Sequence, residues 1–214
     1  MGLGIRERTL DSSRSAILEA AARCFHESGY VATSIDDVAR ALNSTKGRIY
    51  HHFESKADLF AEVFRAGMDM NSAALEPLRG IKGPAHQRWR RMARVHVEQM
   101  ITTRAFQRVV WMGVEMHLVG ATTPQQRVLF EELIATRSRY GDIFRALIAE
   151  GREIGHFQFS NLSIANQLMF MTLNSPIFWY SPRTGETRAD VEDLIAQVVT
   201  CAWRGLGGKE GPKE

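Results

Sequence analysis

Between Lys46 and His52 the chain sets Lys46, Arg48, Tyr50, His51 and His52 around a single glycine, Gly47. Two cations, a phenol and two imidazoles are donors suited to phosphate oxygens and base edges. A glycine among them lets the backbone approach another surface closely. If the segment is helical, only Ile49 and Phe53 share an inward face, at i and i+4. Charge alone would fit an ordinary solvated helix, so the elements around the segment must decide.

Those elements are legible. Thr33-Ser34 reads as a helix cap, with Asp36 and Asp37 in the first turn near the positive helix end. Ile35, Val38, Ala39 and Leu42 then form the i, i+3, i+4, i+7 stripe of a short amphipathic helix. Asn43, a residue that tolerates left-handed backbone, ends it, and Thr45 caps the next helix, Lys46 to about His52. Two short helices around a tight turn, the second polar and cationic, make a helix-turn-helix whose second member enters the major groove of DNA. An earlier helix from Ser12 or Ser13 to Gly29 supports it through Ile17, Ala20, Ala21, Cys24 and Phe25. A later one starts at Ser55 or Lys56. Lys56 places a cation in a first helical turn, where a nearby phosphate would compensate it.

Residues 14 to 60 resemble the DNA-binding domain of the TetR family of bacterial transcriptional repressors. The resemblance rests on Ile17-Leu18, Ala20-Ala21, Phe25, Gly29-Tyr30, Thr33-Ser34, Ile35, Val38-Ala39, Lys46-Gly47, Ile49-Tyr50-His51-His52-Phe53 and Ser55-Lys56. Asn43 stands where the family usually has glycine, and Ser44 where it has a small apolar residue. The resemblance implies an all-α protein: a three-helix DNA-binding domain over 1–55, then a helical effector-binding and dimerisation domain over 56–214. It implies double-stranded operator DNA as partner and a homodimer as the working form. DNA contact falls on Thr33, Ser34, Thr45, Lys46, Gly47, Arg48, Tyr50, His51, His52 and Lys56.

The 214 residues carry a net charge of +3, with 44% hydrophobic and 24% charged residues, the balance of a globular protein with ample core. No apolar run approaches the ~20 residues of a membrane span, and the N-terminus lacks an apolar signal core, so a cytoplasmic protein is expected. Cys24 and Cys201 each fall on an apolar helical stripe and are expected to be buried, unpaired thiols. Residues 1–11, with Arg6 and Arg8, read as a polar arm, either a plain tail or a reach into a minor groove. Residues 207–214 are expected to be disordered. There is no nucleophile elbow, P-loop, dinucleotide fingerprint or paired zinc-ligand motif. His51 and His52 diverge by about 100° on a helix and cannot share a metal. An enzyme, a cofactor or a metal is therefore not expected.

From Lys56 a helix toward Leu78 buries Leu59, Phe60, Val63, Phe64 and Met68, before Pro77, Gly80, Gly83 and Pro84 interrupt the chain. Helices over 85–103 and 105–119 follow, the latter ending at Gly120. Thr122-Thr123-Pro124 opens a long one to about Glu153. The last two helices, from Asn161 to about Tyr180 with a break at Pro176 and from Arg188 to Leu206, are apolar. Val191, Leu194, Ile195, Val198, Val199, Ala202, Trp203 and Leu206 keep one stripe, which either buries in its own core or pairs with a second copy. The family resemblance implies the pairing.

Residues 79–108 hold Arg79, Lys82, Arg88, Arg90, Arg91, Arg94, Arg104 and Arg108 against Glu98 alone. Arg88 with Arg91, and Arg90 with Arg94, are one-turn pairs that could hold a phosphate of a CoA-like ligand, or could face DNA or solvent. Asn174 lies amid bulk, one turn from Phe170 and from Phe178, either bonded to backbone or facing a ligand. The run Asn174 to Pro182 is similar to TetR members sensing acyl-CoA or fatty-acid-like metabolites, with Ser181 replacing their usual basic residue. By that analogy Trp111 and Glu115 join Phe170, Asn174 and Phe178 as effector contacts. The competing reading is an effector-independent DNA-binding or architectural protein.

Overall fold

The computed structural model describes residues 3–119 and 123–208, without the side chains of 3–11, 125 and 126. These residues are helical with no strand: α1 Leu3–Ala32, α2 Ile35–Ala41, α3 Lys46–Tyr50, α4 Lys56–Leu75 and a 3₁₀ turn Glu76–Leu78. Then come α5 Ala85–Thr102, α6 Arg104–Val119, α7 Pro124–Glu153, α8 Leu162–Asn174, α9 Pro176–Trp179 and α10 Arg188–Gly205. The expected arm is continuous with α1, which begins at Leu3 rather than at Ser12 or Ser13; no proline interrupts it. Arg6 and Arg8 side chains, Gly120, Thr122 and residues 209–214 lie outside the description.

The chain forms two compact units, Met1–Asp69 with Ala105–Thr136, and Met70–Arg104 with Arg137–Glu214. In the first, α1 packs on α2 and α2 on α3. Its core joins Ile17, Ala21, Phe25, Val38, Ile49, Phe53, Phe60 and Phe64, all buried. The rings of Phe25 and Tyr30 meet Phe60 edge-on at 5.4 and 4.9 Å, a geometry that aligns ring edges with ring faces. Gly113 of α6 is needed for packing: a Cβ there would fall 2.7 Å from the Phe64 ring.

In the second unit α10 packs on α8 and α5. Its stripe Ile195, Val198, Val199, Ala202 and Trp203 is buried within the chain itself, against the expectation that it meets a second copy. A row of open apolar positions lies on α8 instead, at Ile164, Leu168 and Met171, with Phe178 and Trp179 beyond. The break expected near Pro176 falls at Ser175, where α8 ends and α9 starts with the proline in its first turn. Both cysteines are free, but Cys24 is half-buried and Cys201 exposed. An outward thiol on α10 replaces the buried one expected there.

Candidate nucleic-acid interface and buried polar cluster

The helix-turn-helix is built by local chemistry. Ser34 caps α2: the Asp37 N–H donates to Ser34 Oγ at 3.2 Å, and the Ser34 N–H and hydroxyl donate to Asp37 Oδ2 at 2.8 and 2.6 Å. The Ser34 hydroxyl and backbone, then Arg40, hold the Asp37 carboxyl down at about 2. Asn43 adopts φ 48°, the left-handed conformation that a turn between α2 and α3 requires. Thr45 is the N-cap of α3 by backbone conformation, with no side-chain cap bond. Ile49 and Phe53 are 0% and 2% exposed and anchor the helix from behind.

What remains outward is the polar set. Thr45, Lys46, Gly47, Arg48, Tyr50 and His51 are exposed, and His52 is half-buried. Lys46 Nζ lies 3.2 Å from Asp36 Oδ2 in an exposed pair that contributes little. Arg48 Nε and Nη2 donate to Ser13 Oγ at 3.2 and 3.0 Å, and His52 Nε2 lies 3.3 Å from the same oxygen. Burial first, then neighbouring His51, Arg48 and Arg14, push the His52 pKa down.

Three expected DNA contacts are occupied elsewhere. Thr33 is 1% exposed, and its hydroxyl donates to the carbonyls of Gly29 and Cys24 at 2.7 and 3.1 Å. The Ser34 hydroxyl belongs to the α2 cap. Lys56 donates to the carbonyls of Tyr30 and Thr33 at 3.0 Å each and of Val31 at 3.4 Å, with its ammonium 4.5 Å from the Tyr30 ring centroid. Carbonyls that follow the non-helical Gly29, where φ is 78°, compensate this cation at the start of α4.

The expected effector contacts divide between the units. Trp111 is half-buried and Glu115 exposed on α6 in the first unit. Phe170 and Asn174 are buried on α8 in the second, while Phe178 on α9 is 42% exposed. The bond Asn174 makes within the chain is to a side chain rather than to backbone. Its Oδ1 lies 2.9 Å from His96 Nε2, and His96 Nδ1 lies 2.8 Å from the Tyr140 hydroxyl. Phe144 and Phe170 flank the imidazole edge-on at 5.7 and 5.5 Å. Burial lowers the His96 pKa to about 4 against the opposing Asn174 bond, and nearby Arg137 adds to the lowering. Burial pushes Tyr140 up.

His96 and Tyr140 carry no motif, but His96 has a local signal. It continues the buried face of α5 set by Trp89, Met92, Ala93 and Met100. An imidazole on such a face needs a partner.

The basic run does not present paired phosphate clamps. Arg88 pairs with Glu150, Arg94 with Glu192 at 2.5 Å and Arg79 with Glu76 at 3.0 Å. Arg90 lies over the Trp203 ring at 4.4 Å. Arg104 donates to Ser181 Oγ at 3.3 Å and so brings a cation to the position where the acyl-CoA-type pattern has a basic residue. Among the described residues no group of three or more His, Cys, Asp or Glu could hold a metal, and no helix is long and apolar enough to cross a membrane.

Residues 17–63 match the family "Bacterial regulatory proteins, tetR family", and residues 82–205 match "Tetracyclin repressor-like, C-terminal domain". The chain belongs to the TetR family of bacterial transcriptional regulators, which are not enzymes. Over 108 residues it is 30% identical to the transcriptional repressor AcnR of Corynebacterium glutamicum, covering 47% of this chain and 57% of that protein. Over 52 residues it is 42% identical to the regulator AcrR of Shigella flexneri, covering 24% of each. The chain thus spans between about a quarter and just over half the length of these curated relatives. Solved structures match more of it. PfmR of Thermus thermophilus, a TetR family regulator, has TM-score 0.70 at 28% identity, covering 91% of this chain and 99% of that one. The ketosteroid regulator KstR2 of Mycobacterium tuberculosis has TM-score 0.74 at 22% identity, covering 92% and 95%. AibR, solved in complex with isovaleryl coenzyme A and operator DNA, has TM-score 0.70 at 22% identity, covering 92% and 100%.

Proposed function

We propose that the chain is a cytoplasmic transcriptional repressor that binds a palindromic operator as a homodimer and is released by a small hydrophobic or acyl-CoA-like effector. The observation that carries this reading is the exposed run Thr45, Lys46, Gly47, Arg48, Tyr50 and His51 on a helix pinned by Ile49 and Phe53. Arg48 exchanges Ser13 for a base edge, while Lys46, Tyr50 and His51 meet phosphates and fix the register. Residues 1–55 read DNA, and 56–214 pair and sense.

Pairing falls to the exposed stripe Ile164, Leu168 and Met171, with Phe178 and Trp179 continuing it. A two-fold pair carries two readers to half-sites about one helical turn apart. Docking both readers supplies a specific-site advantage of ~4–10 kcal/mol, so a small change in their separation suffices for release. α4 begins at Lys56, beside the reader, and carries that change from an effector bound near Phe170 and Asn174. The effector class draws support from AibR, named with an acyl coenzyme A, and KstR2, named for ketosteroids.

The test is selection from a random duplex library, followed by light scattering of the protein on the winning duplex. The expected result is a two-fold symmetric motif occupied by dimers. Enrichment of an asymmetric site, or occupancy by monomers, contradicts the reading.

A further inference from the structure

Asn174 is 9% exposed, and its amide nitrogen makes no hydrogen bond with any described residue. Its oxygen is held by His96, which is itself 3% exposed and bonded on both ring nitrogens. The directions of these bonds follow from the acceptor at one end. Because Asn174 Oδ1 can only accept, His96 Nε2 carries the imidazole proton. His96 Nδ1 is then the acceptor, and the Tyr140 hydroxyl must donate to it. The proton order therefore runs from Tyr140 through His96 to Asn174 and ends in an unused pair of N–H donors. Burial keeps the imidazole neutral at physiological pH, and the positive charge of Arg137 also disfavours a second proton. Phe170, whose ring lies 5.2 Å from that of Phe144, gives the same place an apolar wall.

We propose that Tyr140, His96 and Asn174 form a directional relay that aims the Asn174 amide donors at the effector, so that the effector is recognised through a carbonyl oxygen carried on an apolar body. This rests on the reading of Asn174 as an effector contact and adds the polarity of that contact. Asn174 is the binding residue, whereas His96 and Tyr140 are positioning residues that act through it. A ketone, a thioester or a carboxylate supplies the required acceptor. A group that only donates meets N–H against N–H. Tyr140 matters because it fixes the tautomer. Without its hydroxyl, the His96 proton can move to Nδ1, and the Asn174 amide can turn to present its oxygen instead.

The experiment titrates the full-length protein with 2-octanone, S-methyl hexanethioate, octanoate and octylammonium, reading dissociation constants by calorimetry and operator binding on the same preparation. The wild type is expected to bind the three carbonyl compounds and reject octylammonium, and the three separate ketone, thioester and carboxylate sources of the oxygen. Asn174→Asp keeps the size and an acceptor for His96 but removes the donors. It should bind 2-octanone about tenfold or more weakly than the wild type. Tyr140→Phe should narrow the ratio between 2-octanone and octylammonium, which a loss of packing alone would not do. Equal binding of octylammonium and 2-octanone, undiminished binding by Asn174→Asp, or no binding of any carbonyl compound overturns the relay. Asn174→Leu separates the two levels. If it weakens carbonyl compounds and octylammonium alike, the contact stands and the relay falls. If it weakens neither, the contact itself is wrong.

Discussion

Acidification should destabilise this protein through one imidazole, His96, in a window above that of the carboxylates. Burial lowers its pKa in the folded chain from 6.5 to about 4. Between those two values the unfolded chain binds a proton that the folded chain refuses. The stability owed to neutral His96 is thus complete above the unfolded pKa, declines as pH falls toward the folded one, and falls no further below it. The gap corresponds to about 3 kcal/mol, an order-of-magnitude figure and a large share of a typical domain's stability. Asp37, held low by Ser34 and Arg40, acts in the same direction but only once pH drops below the ordinary carboxylate value. Urea denaturation at steps from about pH 7.5 to about pH 4.5 measures the effect, with His96→Gln as control because it can donate and accept without titrating. The wild type should lose stability toward acid faster than His96→Gln, by up to one proton's slope. Parallel pH profiles for the two proteins would refute a buried, neutral His96.

Lys56→Ala should cost about 1–2 kcal/mol, because the carbonyls of Tyr30, Val31 and Thr33 lose a charged donor that is itself partly solvated, and thermal denaturation reads this. The salt dependence of DNA binding should not change, whereas loss of a phosphate contact would flatten the slope by about one. Leu168→Glu, on the open face of α8, should give a folded monomer by light scattering with little loss of melting temperature; Val198→Glu, in the α10 core, should unfold. Gly113→Ala should destabilise by about 1–3 kcal/mol in denaturant titration, since the added methyl overlaps the Phe64 ring.

Elements whose causes are local could be read directly from the chain. Asn43 announced a left-handed turn because few other non-glycine residues tolerate one, and φ is 48° there. Ile49 and Phe53, spaced one helical turn apart, could anchor α3 in only one orientation, and both are buried. Pro176 broke its helix because it has no N–H to give. Partners distant in sequence were not legible in the same way. Lys56 looked like a free donor until the chain folded and brought carbonyls to it from 23 to 26 residues away. His96 finds Tyr140 and Asn174 at separations of 44 and 78 residues, beyond the reach of any helical period. The α10 stripe shows the limit of periodicity most plainly. An apolar face states that something covers it, but not whether the cover is α5 and α8 of the same chain or a second copy.

The central claim is that the outward face of α3 reads DNA sequence, and one comparison tests it most directly. Dissociation constants for the selected operator and a scrambled duplex of equal length, at one salt concentration, should be measured by anisotropy for wild type and Arg48→Ala. The wild type should prefer the operator by about 10³-fold or more. Arg48→Ala should lose ~1–3 kcal/mol on the operator and little on the scrambled duplex, with the loss traceable to one base position in each half-site. Equal losses on both duplexes, or none on either, would contradict a base-reading role for Arg48 and with it the assignment of α3 as the reader.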